Sequence, residues 1–447
     1  MTRHAYTLLL RLVSPFVWLW MWRRARRAAG QWDIFGAERF GAYAQPWDGA
    51  PPVWVHAVSL GETRAAQSLI QALIARGDRV LLTHTTATGR EQGARAFAAE
   101  IAAGQVFQQW FPYDFPGAAA NFLRHYRPRL GLIIEREVWP NLMHAASAAR
   151  VPMVLVNARF SERARGHVAS IDRVFRGLMR NAYGVFSLAL AQTGDDAQRL
   201  FDVGIRNVVV TGNLKFDVPL PHVAVDAGRA WRERVGRPIV SIASTREGED
   251  ALFVPVLAVR CDNTTPLFFL VPRHPQRFDE AAALLTQSGL RFARWSQIRH
   301  DAHSGAALEG LQVVLGDTIG EMPFFYAASS VAIIGGSFAP LGGQNLIEAC
   351  AVGTPVIVGP HTRNFADAVQ GAVAIGAAAQ LSPGSGGALA QQAVELALDW
   401  LQDPQALQKR SDTARTWVAH HMGATARTLA EISDFEAGQV PRERRRD

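Results

Sequence analysis

VWVHAVSLGETRA, Val53 to Ala65, leads from a short apolar run through a polar loop into residues that favour a helix. The run VWV predicts a strand, and Glu62 then falls in the first turn of the helix that follows. A strand that ends in a loop and a helix start is where α/β proteins place their chemistry. Ser59 and Glu62 also have the S-x-x-E spacing of a capping box, in which the two residues satisfy each other's backbone amides. Taken locally, Glu62 is therefore either a helix cap or a catalytic carboxylate.

Apolar β-branched runs alternate with amphipathic helical stretches along the chain from Pro52 onward. This alternation is typical of βαβ units and a parallel sheet. It pauses between Val218 and Val235 and then resumes, which predicts two α/β domains, at 31–215 and 216–435. Two Rossmann-like domains that face a central cleft would point the carboxyl ends of both sheets inward, where ligands from either half can meet.

This architecture fits a glycosyltransferase of the GT-B type, a sugar epimerase or a two-domain ligand-binding protein. A Rossmann dehydrogenase fits less well, because the first βα turn reads SLGET rather than GxGxxG. HEXXH, GxSxG, a Walker P-loop and His/Cys metal spacings are all missing, so we expect neither a bound metal nor a cofactor. Cys261 and Cys350 are far apart, which indicates no disulfide framework and suits a reducing cytosol.

The charge balance of the chain indicates an anionic partner. The chain of 447 residues carries 46 Lys and Arg against 39 Asp and Glu, a net charge of +7. Residues 1–30 contain several arginines and no acid. No basic stripe interleaved with aromatic residues occurs in the predicted domains, so we do not expect nucleic acid to bind. A membrane surface fits this distribution better.

The segment Tyr6–Trp22 is mostly Leu, Val, Phe and Trp, but an arginine, a serine and a proline interrupt it. It falls short of the roughly 20 apolar residues that an uninterrupted span needs. Its three tryptophans, followed by the arginines of 23–27, are typical of an anchor at the membrane interface. We therefore interpret residues 1–30 as an interfacial anchor in preference to a single span, and residues 436–447 as a solvated basic tail.

The densest motif of the second half is IIGGSFAPLGGQNLIEACAVGTPVIVGP, Ile333 to Pro360. A strand leads into two glycine pairs and then into a helix that we expect to begin near Gln344 or Asn345. Glycines allow backbone to approach a ligand closely, and amides at a helix start attract phosphate. Glu348 lies one turn into this helix, on the same side as Asn345, where its carboxylate could accept both hydroxyls of a ribose. The alternative is an ordinary glycine-rich loop with a solvent-facing glutamate.

Two further motifs of the second half follow predicted strands. VPRHPQRF places Arg273 and His274 after the run PLFFLV, where an arginine could grip a phosphate or carboxylate with two hydrogen bonds. The alternative is a loop arginine beside a surface histidine. In GDTIGEMPFFY, Thr318 and Glu321 repeat the capping-box spacing, so a helix cap is the favoured interpretation there. The amides of that loop, around Gly320, could also contact a nucleobase.

The first half adds polar groups at the ends of other predicted strands. In IIEREVWPN we expect alternation along the strand to place Glu135 and Glu137 on one face and Arg136 on the other. NARFSERA follows the run MVLV and offers Arg159 together with Asn157, Ser161 and Arg163 to an anionic ligand. TGNLKFD places Lys215 and Asp217 at the domain junction, where polar residues are also common without a catalytic role.

In order, the motifs HAVSLGE, IIEREVWPN, NARFSERA, GNLKFD, VPRHPQRF, GDTIGEM and GGSF…GGQNLIEA…GTPVIVGPHTRNF resemble the bacterial Kdo transferases, where Kdo is 3-deoxy-D-manno-octulosonic acid. The resemblance covers the chain from about Arg39 to Asp367. It implies a GT-B fold and transfer of Kdo from CMP-Kdo to a lipid A precursor at the cytoplasmic face of the inner membrane.

The resemblance also implies roles for individual residues. Glu62 would be the general base, with Glu135, Glu137 and Lys215 assisting at the reacting centre. Acceptor-side positions would be Ser59, Gly61 and Arg159, and the CMP-Kdo site would comprise Arg273, His274, Thr318, Gly320, Glu321, Gly342, Gly343, Asn345 and Glu348. One position departs from the family pattern, since Arg136 replaces the threonine of the usual sequence ETE.

A mechanism follows from this assignment. The helix dipole would keep Glu62 ionised, so that it can take a proton from a primary hydroxyl of the acceptor. The hydroxyl attacks the anomeric carbon as CMP leaves from the opposite face, which inverts the centre. Backbone amides and basic side chains would stabilise the leaving phosphate without a metal. Another membrane-associated GT-B transferase and a non-enzymatic two-domain sugar-binding protein remain as alternative interpretations.

Overall fold

The computed structural model of the chain describes residues 2–27, 32–44, 46–217, 220–260, 266–299 and 310–438. Cys261, the last residues of the predicted anchor segment and most of the predicted basic tail lie outside the described residues. Contacts divide the chain into two compact units. Unit 1 comprises Met1–Val218 and His421–Asp447, and unit 2 comprises Pro219–His420.

Unit 1 contains a seven-stranded parallel sheet in its described part, with strand order β3-β2-β1-β4-β5-β6-β7. Its strands are β1 (Val53–His56), β2 (Val80–His84), β3 (Val106–Trp110), β4 (Leu130–Ile134), β5 (Met153–Ala158), β6 (Phe186–Ala191) and β7 (Val208–Val210). The order reverses between β1 and β4, so the loops after these two strands flank the topological switch point, the usual ligand site of such sheets.

The helices of unit 1 begin with a long N-terminal helix and end with one formed by the last described residues. They are α1 (Thr2–Arg27), α2 (Leu60–Ala65), α3 (Gln67–Ala75), α4 (Ala87–Ala96), α5 (Ala98–Ala102), α6 (Pro116–Tyr126), α7 (Pro140–Ala148), α8 (Glu162–Phe175), α9 (Leu178–Tyr183), α10 (Gly194–Asp202) and α20 (Ala424–Glu436). The apolar stretch after Glu62 therefore forms two helices, α2 and α3, rather than one.

Unit 2 contains a second seven-stranded parallel sheet in its described part, with strand order β10-β11-β9-β8-β12-β13-β14. Its strands are β8 (Ile239–Thr245), β9 (Leu267–Pro272), β10 (Phe292–Arg294), β11 (Val313–Leu315), β12 (Val331–Ile334), β13 (Val356–Val358) and β14 (Ala378–Gln380). Its helices are α11 (His222–Val235), α12 (Glu249–Arg260), α13 (Phe278–Gln287), α14 (Trp295–Ile298), α15 (Met322–Ala328), α16 (Ile347–Val352), α17 (Ala366–Ala374), α18 (Gly386–Gln402) and α19 (Pro404–His421). The switch point of this sheet lies between β8 and β12.

Alternation along the strands supplies a core on each face of the unit 1 sheet. Trp54 and Leu81 belong to the core beneath α6 and α7, whereas Val55 and Leu82 belong to the core on the opposite face. All four side chains are fully buried. Both faces of a parallel sheet need such cover, and this explains why the strands read as nearly continuous apolar runs.

The last helix joins unit 1 rather than unit 2. Ala424 and Ile432 of α20 belong to the same core as Leu69 of α3. Asp217 accepts hydrogen bonds from the backbone amides of Gly423 and Thr425, so it caps the start of α20. The predicted division at 31–215 and 216–435 differs from these units, because it assigns α20 to the second half.

Candidate active site

Four loops at the carboxyl edge of the unit 1 sheet carry the residues predicted around the reacting centre. Glu62 follows β1, Glu135 and Glu137 follow β4, Arg159 follows β5, and Lys215 lies in a 3-10 turn after β7. Parallel strands end at the same edge of a sheet, and β1 and β4 are neighbours there. The sheet therefore brings together residues that are up to 153 positions apart in sequence.

Glu62 acts as a helix cap and faces the other charged residues at the same time. Its backbone amide is bonded to the hydroxyl of Ser59, and its carboxylate accepts a hydrogen bond from the amide of Val58 at 2.7 Å. Half of the predicted capping box is therefore confirmed: Ser59 accepts from the Glu62 amide, but the Glu62 carboxylate accepts from the amide of Val58 and not from that of Ser59. Gly61 is exposed in the same turn, where a Cβ atom would meet only the hydroxyl of Ser59, at 3.9 Å, among the described residues.

Burial raises the pKa of Glu62 to about 8, and the negative charges of Glu135 and Glu137 act in the same direction. The hydrogen bond from Val58 and the positive charge of Lys215 oppose this rise without cancelling it. The expectation that the helix dipole keeps Glu62 ionised at neutral pH is therefore wrong. A helix of six residues has a small dipole, and desolvation of the carboxylate outweighs it.

Glu135 and Lys215 form a half-buried ion pair, with 2.8 Å between Nζ and Oε1. Asn213 holds the turn that carries Lys215 by accepting a hydrogen bond from the Lys215 amide. Glu135 has φ 66°, a left-handed conformation that non-glycine residues seldom adopt. Such conformations persist where the surrounding structure imposes them, and they are concentrated at functional sites.

The alternation predicted for residues 135–137 is wrong, because β4 ends at Ile134 and the three residues lie in the turn beyond it. Arg136 is exposed, whereas Glu137 is half-buried. Burial raises the pKa of Glu137, and the charge of Arg136 partly opposes that rise. Arg136, which replaces the family threonine, therefore influences the pKa of the neighbouring Glu137.

The loop after β5 supports this cluster through its backbone. The amide of Arg159 donates to the carbonyl oxygen of Glu135 at 3.2 Å, and the Arg159 side chain is half-buried. Asn157 is fully buried with φ 53°, and its amide oxygen accepts from the backbone of Leu214 at 3.0 Å. Ser161 caps α8 by accepting from Ala164. Asn157 and Ser161 thus have structural roles.

In unit 2, Arg273 and Glu348 lie near the same buried hydroxyl group. Burial raises the pKa of Tyr326, the carboxylate of Glu348 raises it further, and Arg273 opposes the rise. His274 follows Arg273, and burial together with Arg246, Arg273 and other cations lowers its pKa. The structure therefore places the predicted phosphate-binding arginine and the predicted ribose-binding glutamate at one edge of the unit 2 sheet.

The amides of the first glycine pair are not available to a phosphate. The fully buried carboxylate of Glu249 accepts hydrogen bonds from the backbone of Gly336 at 2.6 Å and of Phe338 at 2.9 Å. It also accepts from the amides of Arg246 and Ala339. An internal carboxylate thus occupies the position that sequence analysis assigned to a ligand. Sequence analysis singled out no residue of the REGED stretch, 246–250.

The second glycine pair shapes the loop before α16. Gly342 and Gly343 have φ of 95° and 80°, and a Cβ atom on Gly342 would approach the side chain of Asn364 to 2.5 Å. Asn345 donates to Glu348 at 3.1 Å and accepts from the amide of Ile347 at 3.0 Å. The predicted proximity of Asn345 and Glu348 is confirmed, but the helix begins at Ile347, later than predicted.

The capping box predicted for Thr318 and Glu321 does not form. Glu321 itself occupies the N-cap position of α15 and makes no capping hydrogen bond, whereas it accepts from Trp295 at 3.2 Å. The hydroxyl oxygen of Thr318 is buried without a hydrogen-bond partner among the described residues. Gly320 is exposed between them with φ 87°. The hydroxyl of Thr318 thus remains as a potential ligand group.

Comparison with known proteins supplies the family. The family profile described as "3-Deoxy-D-manno-octulosonic-acid transferase (kdotransferase)" matches residues 36–218. A 3-deoxy-D-manno-octulosonic acid transferase of Bordetella pertussis is 54% identical over 441 residues, which cover 97% of this chain and 100% of that protein. The chain belongs to the Kdo transferase family. It is a glycosyltransferase.

Other relatives of this Kdo transferase are more distant. A 3-deoxy-D-manno-octulosonic acid transferase of Haemophilus influenzae is 33% identical, over 74% of this chain and 75% of that protein. A glycosyltransferase structure from Rickettsia africae matches with TM-score 0.52 and 13% identity, over 87% of this chain and 99% of that one. A UDP-GlcNAc 2-epimerase structure from Neisseria meningitidis matches with TM-score 0.54 and 15% identity, over 86% and 100%. These structures confirm the predicted fold class, two Rossmann-like domains of the GT-B type.

Proposed function

We propose that this Kdo transferase uses CMP-Kdo as donor and a lipid A precursor as acceptor, with Glu62 as the general base of an inverting transfer. The observation that supports this proposal best is the cluster of Glu62, Glu135, Glu137 and Lys215 at the switch point of the unit 1 sheet. Perturbed carboxylates beside a cation at such an edge are typical of catalytic sites.

The raised pKa of Glu62 suits a general base. A carboxylate with a pKa of about 8 binds a proton far more strongly than an ordinary glutamate, so it removes a hydroxyl proton more readily once it is ionised. The acceptor hydroxyl then attacks the anomeric carbon of Kdo while CMP departs from the opposite face. Glu135 and Lys215 hold each other in place beside the base.

Unit 2 would hold the donor nucleotide. Arg273 could bind the phosphate of CMP with two hydrogen bonds, and Glu348 could accept hydrogen bonds from the ribose hydroxyls. Thr318 and the amides around Gly320 could contact the base. The remaining residues that we assign to this site shape the loops or lie beside these groups: His274, Glu321, Gly342, Gly343 and Asn345.

The acceptor fits the anchor helix. By length and composition α1 could cross a membrane, and one such helix is weak support for that topology. Its outward face is apolar, with Leu12 63% and Phe16 73% exposed, whereas Thr7 and Ser14 are buried against unit 1. A helix held by its polar face would lie along the membrane surface. We place it at the cytoplasmic face of the inner membrane, with Ser59, Gly61 and Arg159 on the acceptor side.

Incubation of the purified chain with CMP-Kdo and tetraacylated lipid A precursor, followed by mass spectrometry, tests the donor and acceptor. We expect a product heavier by one or more Kdo residues. The variant Glu62→Gln should lower turnover by roughly two to four orders of magnitude, the usual contribution of a general base. Its affinity for CMP should stay within about twofold of the parent, because Glu62 lies in unit 1.

Two results would contradict the proposal. Transfer of a different sugar nucleotide, with CMP-Kdo inactive, would point to another membrane-associated GT-B transferase. Near-normal turnover by a folded Glu62→Gln variant would leave Glu62 with its capping role alone.

A further inference from the structure

The first half of the anchor helix α1 presents polar groups to the protein and apolar side chains outward, whereas its second half buries the apolar residues Met21 and Ala25. Leu8, Leu12 and Phe16, spaced four residues apart, are more than half exposed. Thr7 and Ser14, spaced seven apart, are buried. A surface helix of a globular domain normally has the reverse arrangement. The polar inner face must therefore find specific hydrogen-bond partners in unit 1, because buried polar groups that lack them are costly.

These partners lie at the starts of two other helices. The hydroxyl of Tyr6 donates to Oδ2 of Asp114 at 2.9 Å, just before α6. The hydroxyl of Thr7 lies between two acceptors, Oδ1 of Asn141 at 3.1 Å and the carbonyl oxygen of Arg3 at 2.9 Å. The guanidinium of Arg3 donates to the same Oδ1 of Asn141 at 3.3 Å. Asn141 lies in the first turn of α7.

Asp114 caps α7 from a distance. The N-cap residue of α7, Trp139, makes no capping bond, and Pro140 has no amide proton to donate. The carboxylate of Asp114 instead accepts from the amides of Asn141 at 3.1 Å and Leu142 at 2.8 Å. The side chain of Asn141 returns a hydrogen bond to the carbonyl oxygen of Asp114 at 2.7 Å. Asp114 thus satisfies two buried amide donors of the first turn of α7 that have no acceptor within the helix.

The segment 135–139, which carries Glu135 and Glu137, is held by hydrogen bonds at its beginning and at its end. At its beginning the amide of Glu135 donates to Val156 of the neighbouring strand at 2.9 Å. At its end the chain enters α7, whose first turn is held by Asp114 and Asn141. The position of Glu137 therefore depends on how firmly the start of α7 is held.

We propose that Tyr6 and Thr7 of the anchor helix are positioning residues for the transfer reaction. Through Asp114 and Asn141 they fix the start of α7, and thereby the loop that places Glu135 and Glu137 beside Glu62. The anchor helix is then part of the catalytic framework as well as a membrane attachment. This inference rests on the proposed catalytic role of that loop, and it goes beyond the anchoring role of α1.

The test uses the full-length chain in detergent, with the acceptor dispersed in the same detergent so that membrane attachment is not limiting. The double variant Tyr6→Phe/Thr7→Val removes two hydroxyl groups with little change in shape. We expect kcat to fall roughly ten- to a hundredfold, the scale of a small displacement of catalytic groups, with the KM values within about twofold. Hydrogen exchange at the amides of Asn141 and Leu142 should become faster, and binding to anionic vesicles should be unchanged.

The variant Ser14→Ala is the matched control. Ser14 is buried on the same face, but its hydroxyl donates to Arg11 within α1 itself. Ser14→Ala should therefore match the parent in kcat and in exchange. Parent-like kcat and exchange in the double variant would overturn the inference, as would an equal loss in Ser14→Ala or a loss of kcat with unchanged exchange. If the parent itself transfers no Kdo, the proposed function fails, and the exchange measurement alone decides whether α1 holds the segment.

Discussion

At the scale of single residues, Glu62 combines capping contacts with the electrostatic environment of the general base that we propose. A carboxylate that caps a helix is normally exposed and has an ordinary pKa. Glu62 retains the capping contacts but is half-buried beside two further carboxylates, and its pKa rises to about 8. The cap fixes the side chain in a conformation where desolvation and like charge make it a stronger base.

The pH dependence of the reaction follows from this shift. Only the ionised form of Glu62 can accept a proton, so kcat/KM should rise about tenfold per pH unit up to about pH 8 and then level off. Measurement of kcat/KM between pH 6 and 9.5 checks this expectation. A plateau that begins near pH 5 would show that Glu62 keeps an ordinary pKa and would remove the main physical argument for its role.

The raised pKa of Glu62 also predicts that the folded chain becomes less stable as the pH rises, whereas kcat/KM should increase. In the folded chain Glu62 keeps its proton up to about pH 8, whereas in the unfolded chain it releases the proton near pH 4.5. Between these two pH values the folded chain therefore binds more protons than the unfolded chain, and the free energy of unfolding falls as the pH rises. Glu62→Gln cannot ionise and keeps an oxygen for the amide of Val58. It should therefore unfold at no lower temperature than the parent at pH 8. Calorimetry of the two proteins also shows whether lost turnover reflects unfolding.

A second residue-scale prediction concerns Glu348. If its carboxylate accepts hydrogen bonds from the ribose of CMP, Glu348→Ala should weaken CMP binding by about 1.5–3 kcal/mol, the range for hydrogen bonds to a charged group. The penalty should largely vanish with 2′,3′-dideoxy-CMP, which lacks the two hydroxyls. Calorimetric titration with both nucleotides separates the two cases, since an equal loss for both would indicate a disturbed loop instead.

Local spacing alone does not determine which residues form a cap. Ser59 accepts from the amide of Glu62 as their spacing predicts, whereas Thr318 and Glu321, with the same spacing, make no such contact. The difference arises from tertiary structure, because the carboxylate of Glu321 accepts a hydrogen bond from the indole of Trp295 instead. Glu249 was missed for a similar reason. Three of its four amide partners, those of Gly336, Phe338 and Ala339, lie 87 to 90 positions away, and no local pattern in the sequence indicates them.

At the scale of elements, the two faces of α1 predict separable effects. Replacing Leu8, Leu12 and Phe16 with glutamine removes apolar surface that faces outward and leaves the inner hydrogen bonds intact. We expect binding to anionic vesicles to weaken by roughly two orders of magnitude or more, because each side chain loses on the order of 1.5 kcal/mol of burial in lipid. Turnover of detergent-dispersed acceptor should match the parent.

Vesicle flotation and the detergent assay measure these two effects independently. Replacement of Val223, which is 85% exposed in unit 2, with glutamine provides a control for exposed apolar residues in general and should change neither result. Loss of detergent turnover in the triple variant would mean that the outer face of α1 contributes to the fold of unit 1.

Most strands of the two sheets could be predicted from the sequence, because the strands of a parallel sheet are short apolar runs separated by polar loops. Helices were less well resolved. The stretch after Glu62 is continuous in its helical pattern, yet the chain breaks it at Ala66 into α2 and α3. The polar face of α1 could have been recognised, since Thr7 and Ser14 are seven residues apart and share one side of a helix. The partners of that face could not, because they are more than 100 residues away.

At the scale of the whole molecule, the path of the chain was the least predictable feature. The pause in periodicity lies between Val218 and Val235, and the contacts divide the two units after Val218. No comparable pattern in the sequence indicates that α20 packs in unit 1. A helix has the same amphipathic pattern whichever of the two domains it packs against. Tertiary contacts such as those of Asp217, Ala424 and Ile432 reveal it.

This division predicts which pieces of the chain are independent. A fragment of residues 219–420 contains the whole of unit 2 with its own core and should unfold cooperatively and bind CMP. A chain that ends at residue 421 loses α20, and unit 1 should lose at least about 3 kcal/mol through the removal of buried residues such as Ile432. Denaturant unfolding of the fragment and of the shortened chain, compared with the full chain, measures these effects. Unchanged stability of unit 1 without α20 would contradict the division.

The placement of α20 also has a consequence for synthesis. Unit 2 is translated as one continuous stretch, whereas unit 1 begins with the first residues and is completed only when α20 leaves the ribosome. More than 200 residues separate Asp217 from the end of α20 at Glu436. At bacterial elongation rates this corresponds to a delay of roughly 10–40 s. During that interval the surface of α3 that α20 will cover stays open to solvent and to chaperones, so the first domain to emerge is the last to mature.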